Sequence, residues 1–295
     1  MITGQPITLW RRFLRFPWHL LLLSLALVTV GSLALYSASE GSWSPWAGRH
    51  AVRGGVGVVL VFILAFIDLR LLRKWSYFIL LAAVGMLFVL MVVDSGRFVS
   101  RWITIGGFTF QPSEPAKIAV IMALARYFDE QPPERMQSLL VYLPPLVLIT
   151  VPFLLIIKQP DLGTALALLL GSLSVLFAAG MPWRSILAPI VLGLGSLPVL
   201  WMELHVYQKE RVMTFLHPGA DALGAGYQIT QSKIALGSGG LFGKGFLMGS
   251  QSQLNYLPEK QTDFVFTMIG EEFGLVGNLF ILSVYLLLIG SILAI

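Results

Sequence analysis

The feature that most limits what this chain can fold into is a recurrence of apolar runs close to the length of a bilayer crossing. A helix rises 1.5 Å per residue, so a hydrocarbon core of roughly 30 Å takes about 20 apolar residues. Runs of that order occupy 17–37, 52–68, 75–94, 113–128, 139–157, 162–180, 185–203 and 264–294. Backbone groups in lipid must be satisfied within the protein, and runs this long do so as helices rather than as the shorter strands of a barrel. The expectation is an all-α, polytopic membrane bundle of about eight spans. It forms a single domain over 1–295, with a long connection at about 204–263 between the seventh and eighth spans. A water-soluble domain is excluded, because 56% of residues are hydrophobic, 12% are charged and the mean hydropathy is +0.80.

Orientation follows from the short connections. Arg11, Arg12, Arg15, Arg70, Arg73, Lys74, Arg126, Arg135 and Arg184 fall on one side; Arg49, Arg53, Arg97, Arg101 and Lys158 fall on the other. The richer side is cytoplasmic by the positive-inside rule, which places the N-terminus inside and the 204–263 connection outside. The three arginines before the first run resemble a signal peptide, but that run is long and further spans follow, so an uncleaved first helix is expected. The net charge of +5 reflects this bias and gives no reason to invoke nucleic acid. With no cysteine, disulfide and thiol chemistry are excluded.

Three stretches depart from generic membrane packing. In "RWITIGGFTFQPSEPAKIAVIMALARYF", residues 101–128, a glycine-containing loop leads into a helix with Ser113 as an expected N-cap and Pro115 in the first turn. Its apolar part is short, which suits a helix that starts below the surface or borders a cavity. Glu114 and Lys117 lie one turn apart and can pair. A charge inside a span costs roughly 3 kcal/mol unless paired or wetted, so such residues point to function; an ion pair that only anchors the helix fits them as well. In "IKQPDLGTALAL", residues 157–168, Asp161 stands before a helix, where capping and a functional role are equally natural.

The third stretch is the outer connection itself. Residues 219–249 hold nine glycines, including "GSGGLFGKG" at 237–245, so this segment is either flexible or wrapped closely around something. It is not a phosphate-binding P-loop, because Lys244 is followed by Gly245 rather than Ser or Thr. "GYQITQSKIAL", residues 226–236, has helical spacing and suits a segment lying on the bilayer surface. After it comes "QLNYLPEKQTDFVF", residues 253–266, where Asp263 precedes the last apolar run as either an N-cap or an acid exposed at the membrane surface. Eight residues on, "IGEEFG" adds Glu271 and Glu272. Asp263, Thr267 and Glu271 share one helical face, and at least one of the paired acids should turn inward toward a cation such as Lys117.

Together, "RWITIGGFTFQPSEPAKIA", "KQPDLGTAL" and "YQITQSKIALGSGGLFGKGFLMGSQSQLNYLPEKQTDFVFTMIGEEFG" resemble the SEDS family (shape, elongation, division and sporulation), and "GSQSQLNYLPEKQTDF" is most similar to its elongation branch. The resemblance spans nearly the whole chain. It implies a multi-pass protein of the bacterial cytoplasmic (inner) membrane. The implied activity is that of a peptidoglycan glycosyltransferase polymerising lipid II, the undecaprenyl-diphosphate-linked disaccharide peptide, on the outer face during elongation. A class B penicillin-binding protein is the implied partner, crosslinking the product. The acid of the "TDF" motif is implied to be essential, and it falls on Asp263; Arg101, Glu114, Lys117 and Asp161 match cavity-lining positions. Members usually have ten spans, so the resemblance implies a further pair that this sequence does not contain.

Chemistry sets its own requirements. Joining a sugar hydroxyl to an anomeric carbon that carries a diphosphate needs a base for the hydroxyl proton and positive charge for the leaving group. One carboxylate suffices if the reaction inverts the anomeric centre in a single displacement. Asp263 is the candidate base. Arg101, Lys117, Lys158 and the loop residues Arg211, Lys233 and Lys244 are candidate diphosphate contacts, with Glu114 and Asp161 beside them. No cofactor is required by this chemistry, and a divalent cation, magnesium or manganese, is left open. A lipid flippase is the alternative, since it too would have many spans and intramembrane charges. Its sites, however, lie near the bilayer midplane on repeated, broken helices, whereas the special residues here cluster outward.

Overall fold

The computed structural model describes residues 16–93, 101–105, 108–132, 134–135, 138–185, 225–254, 256 and 261–294, together with Phe13 and isolated positions from 187 to 217. The expected span 185–203 and the tripeptide Pro258, Glu259 and Lys260 therefore fall largely or wholly outside the described residues, as do Arg11, Arg12, Arg15, Arg97 and Arg211.

The elements are α1 (Trp18–Ala38), α2 (Ala47–Phe66), α3 (Leu69–Val93), β1 (Ile103–Ile105), β2 (Phe108–Phe110), α4 (Ser113–Asp129), a 3₁₀ turn (Leu139–Tyr142), α5 (Leu143–Lys158), α6 (Leu162–Ala178), α7 (Ala225–Ser238), the short α8 (Ser250–Gln253) and α9 (Val265–Leu293). The fold is all-α apart from one two-stranded hairpin. Among the described residues α1, α2, α3, the 140–158 helix and α9 are long and apolar enough to cross a membrane; α6 is apolar and shorter. This is a multi-pass membrane protein.

The chain divides into two compact units, residues 67–200 and residues 1–66 with 201–295. In the first, α4 is the central helix, packed against α3, α5 and α6. It buries Ala116, Ala119, Val120, Ala123 and Leu124, the i, i+3, i+4, i+7, i+8 pattern of one helical face. Three of those five are alanine, which lets neighbouring backbones approach closely, as membrane helix packing requires. Leu80, Leu87, Ile149, Ile156, Leu168 and Leu176 fill the space around it. Two polar bonds lock the neighbours: Tyr127 Oη donates to the Val141 carbonyl at 2.8 Å, and the buried Gln159 carboxamide donates to the Leu87 carbonyl at 3.2 Å. Ser113 begins α4 but does not cap it; Pro112 holds the N-cap position, and no side chain bonds there.

In the second unit α1 packs against α2 and α9, while α7 runs along α9. The segment expected to lie on the bilayer surface thus packs on another helix, with Gly226 and Ala235 buried and Ser232 Oγ 2.8 Å from Thr267 Oγ1. Helix α9 is interrupted at Gly274, whose φ of 68° and ψ of −163° lie outside the helical region. Such a break orphans carbonyls above it and amides below it, and each orphan buried without a partner costs about 1–3 kcal/mol.

The glycine-rich loop supplies the partners. The amides of Lys244 and Gly245 donate to the carbonyls of Glu271 and Glu272 at 3.0 and 2.9 Å, and the amides of Leu275 and Val276 donate to the carbonyls of Gly240 and Leu241 at 3.0 and 3.1 Å. So close an approach leaves no room for a side chain. A Cβ at Gly239 would sit 2.0 Å from the Gly270 oxygen, and one at Gly243 2.1 Å from the Glu272 oxygen. Of the two sequence readings of this loop, the structure selects the wrapped one: it is a splint around the break in α9.

Candidate active site

The residues singled out in the sequence assemble into two groups, one in each unit. In the 67–200 unit the hairpin does the assembly. Its antiparallel register pairs Ile103 with Phe110, which brings Arg101, just before β1, beside Gln111, just after β2. Both reach the turn between α5 and α6. The Arg101 guanidinium donates to the Gln159 carbonyl at 3.0 Å and to the Pro160 carbonyl, and lies 4.0 Å from Asp161 Oδ1. Gln111 Nε2 donates to Asp161 Oδ2 at 3.0 Å.

Asp161 is itself the N-cap of α6, accepting from the Thr164 amide at 3.2 Å and from the Thr164 hydroxyl at 2.9 Å. Both carboxylate oxygens are occupied and its side chain is 13% exposed. Capping, one of the two roles its sequence context allowed, is what this acid does. Three residues past Gln111, Glu114 opens α4, and its carboxylate takes the Lys117 ammonium at 3.0 Å. Glu114 is more than half exposed, so this expected pair stands at the surface of the unit. Lys158 is exposed at the end of α5.

In the other unit Asp263 is exposed and has no hydrogen bond or ion pair among the described residues. It does not cap α9: the helix begins at Val265, the N-cap position belongs to Phe264, and no side chain bonds there. The cap reading of Asp263 is thereby removed. Lys233 is exposed on α7.

Two acids on the same helix are in the opposite condition. Glu271 is fully buried, and its Oε1 accepts from Lys244 Nζ at 2.6 Å, Ser250 Oγ at 3.1 Å and the Gln251 amide at 3.0 Å. Glu272, 2% exposed, takes the Ser37 hydroxyl of α1 and the amides of Leu247 and Gly249. The paired acids do turn inward, but the cation that meets Glu271 is Lys244 from the glycine loop, not Lys117, and Glu272 is met by a hydroxyl and backbone amides alone among the described residues. The sequence reading missed this because it placed Lys244 on a solvated loop free to contact substrate, whereas the splint draws it under α9. It also passed over Gln111, Gln159, Ser37 and Ser250. Gln111, Gln159 and Ser37 stand at the ends of apolar runs, positions where a buried bond is often required, and that was their signal; Ser250 lies in the polar stretch GSQSQ and gave none. Among the described residues no three His, Asp or Glu side chains converge as a preformed metal site.

A helical membrane protein that tucks two acids under a loop and exposes a third just before the same helix is the class that the fold and site define. The chain belongs to the FtsW/RodA/SpoVE family of cell cycle proteins, whose model matches residues 12–295. Among its relatives, peptidoglycan glycosyltransferase MrdB of Escherichia coli K12 is 43% identical over 289 residues, covering 96% of this chain and 76% of the relative. A probable peptidoglycan glycosyltransferase FtsW of Tolumonas auensis is 37% identical, covering 90% and 69%. The rod shape determining protein RodA of Thermus thermophilus matches with a TM-score of 0.64 and 29% identity, over 94% of this chain and 74% of that one. A chain from a structure described as coordinating polymerization and crosslinking by a peptidoglycan synthase complex matches with a TM-score of 0.74 and 31% identity, over 94% and 77%.

Proposed function

We infer that Asp263 is the base with which this chain, a peptidoglycan glycosyltransferase like the relatives it matches, joins lipid II units into glycan strands. The observation that carries this is the state of the carboxylate: exposed, uncapping and without a partner among the described residues, at the start of a helix whose other acids are buried and bonded. A general base must reach the proton that it takes, and an exposed carboxylate just before the helix can do so.

In the step proposed, the carboxylate takes the proton of the acceptor sugar hydroxyl as its oxygen attacks the anomeric carbon. The diphosphate-lipid then leaves from the opposite face. Its charge needs cations, and in the same unit as Asp263 the exposed side chain offered is Lys233. In the other unit Arg101 and Asp161 hold the hairpin against the α5–α6 turn. Were a magnesium or manganese ion bound with the diphosphate, the exposed carboxylate of Asp263 would hold it and the ion would neutralise charge on the leaving group.

The positive-inside count favours a cytoplasmic N-terminus in a bacterial inner membrane, which puts Asp263 on the outer face where the lipid-linked head lies. A crosslinking partner of the class B penicillin-binding type is supported by the similar chain solved within a peptidoglycan synthase complex. The test is to incubate the purified protein, with that partner, with lipid II and resolve the products by size. Glycan polymer from the parent and none from Asp263→Asn is the expected result; lipid translocation without polymer would turn the reading to a flippase.

A further inference from the structure

Helix α4 starts beside the hairpin and ends at Asp129, and at that far end of the 67–200 unit a groove of about 400 Å³ runs between its last two turns and the first two turns of α3. Leu69, Leu72, Met122 and Ala125 give it an apolar floor, and Arg70, Arg73, Arg126 and Asp129 stand along it. Depth sorts these side chains. At 1.5 Å per residue, Met122 lies roughly 10 Å further along α4 from its end than Asp129 does. Charge is thus at the mouth and apolar surface continues inward, the order in which a phospholipid presents its headgroup and chain.

Two of the three arginines are engaged. Arg126 donates through Nε to Glu130 at 2.9 Å and through Nη1 to the carbonyls of Arg73 and Lys74 at 3.2 and 2.8 Å, and its guanidinium lies 4.5 Å from the centre of the Tyr77 ring. Arg73 pairs with Asp129 at 2.7 Å, though half of its side chain stays exposed. Arg70 is different. It is exposed, and its guanidinium has no hydrogen bond or ion pair among the described residues. The nearby acids are occupied: Asp129 and Glu130 by Arg73 and Arg126, and Asp68 by the Arg70 amide, which donates to its Oδ1 at 2.9 Å. With Lys74 also exposed, four cations stand against three acids, and the groove carries positive charge in excess.

We propose that this groove binds an anionic phospholipid, with the phosphate on the fork of Arg70 beside Arg73 and an acyl chain on Leu72, Met122 and Ala125. A soluble anion would satisfy Arg70 but leave the floor bare, and a zwitterionic lipid would cover the floor while bringing its own ammonium to Arg70. An anionic lipid meets both demands, and guanidinium is the side chain best shaped to take phosphate on two bonds. The exposed rings of Trp75 and Phe78, 5.5 Å apart and edge to face, follow the cationic turns of α3 as aromatic residues do at headgroup level. The positive-inside count assigns this end to the cytoplasmic leaflet. The site lies in the unit that does not carry Asp263, so it stands whichever residue is the base.

The test is native mass spectrometry of the full chain in mild detergent, titrated with phosphatidylglycerol or with phosphatidylethanolamine of the same acyl chains. The parent should retain phosphatidylglycerol preferentially. One cation beside an anionic lipid is worth about fivefold in affinity, so Arg70→Ala should weaken phosphatidylglycerol binding by about that factor and leave phosphatidylethanolamine unchanged. Ala125→Trp, which fills the floor without altering charge, should weaken phosphatidylglycerol binding as much. Arg135→Ala removes an exposed cation from the same end of the unit but outside the groove, and should bind as the parent does. All three positions are exposed, and unchanged melting temperatures confirm that the variants fold. Equal retention of the two lipids by the parent, or equal losses in Arg70→Ala and Arg135→Ala, would overturn the proposal and leave the arginines as topology signals alone. Displacement of the lipid by excess glycerol phosphate would also overturn it, by showing a site for a soluble anion.

Discussion

Asp161 and Asp263 begin from the same description. Each is an aspartate at the start of an apolar helix after a polar connection, and capping was an available role for each. Their surroundings differ. Asp161 is ringed by Gln111, Thr164 and Arg101, and its helix starts on it; Asp263 is exposed, and its helix starts one residue too late to use it as a cap. The lesson concerns what makes an acid available for chemistry. Both are carboxylates, and a few donors arranged around one of them convert it from a reagent into a joint.

Substitution by asparagine, which caps a helix about as well as aspartate but takes no proton at neutral pH, should separate the two most sharply. Asp263→Asn is expected to lose about 100-fold to 10,000-fold in polymerisation with an unchanged melting temperature. Asp161→Asn should polymerise near the parent rate. If the two variants lose activity equally, the distinction drawn between them is wrong.

The next effect is on stability. Gly243→Ala places a Cβ against the Glu272 carbonyl at a φ of +80°, and it should destabilise the second unit by more than about 1 kcal/mol, read as a lower melting temperature and weakened protection of the 271–276 amides from exchange. Asp161→Ala, which removes the cap and leaves Gln111 and Arg101 without their acceptor, should cost about 1–2 kcal/mol in thermal or denaturant unfolding while reducing turnover far less than Asp263→Asn.

The smallest effect is expected at the exposed pair Glu114 and Lys117. Such i,i+3 pairs contribute about 0.2–0.5 kcal/mol, so Glu114→Gln should leave stability almost untouched. A change in KM for lipid II would then show that the residue meets substrate, and no change would assign it to the helix surface alone.

Much of this was legible in the sequence because hydrophobic length is read directly. The expected runs at 17–37, 113–128, 139–157, 162–180 and 264–294 fall within a few residues of α1, α4, the 139–158 helix, α6 and α9. The 52–68 and 75–94 runs start several residues late, because Arg49 and His50 belong to the first turn of α2 and Arg70, Arg73 and Lys74 begin α3, where a pattern of apolar residues alone does not extend. The Glu114–Lys117 pair was legible because both partners lie on one turn.

What was not legible depended on contacts distant in sequence. Lys244 and Glu271 are separated by 27 residues, Ser37 and Glu272 by 235, and the break at Gly274 shows only when the loop that fills it is in place. The hydropathy of 265–293 is that of an uninterrupted span. Nine glycines in one loop did signal that something came close, though not that the something was the helix thirty residues downstream.

That order along the chain has a consequence for how the protein is made. The ribosome synthesises residues 239–245 before residues 265–276, so the backbone partners for the interruption in the last helix already exist when that helix emerges. The reverse order would release into the membrane a broken span with bare amides and carbonyls, to wait for a loop not yet translated. As it is, the interruption can be sealed the moment it forms, and biogenesis never has to carry an open helix through lipid.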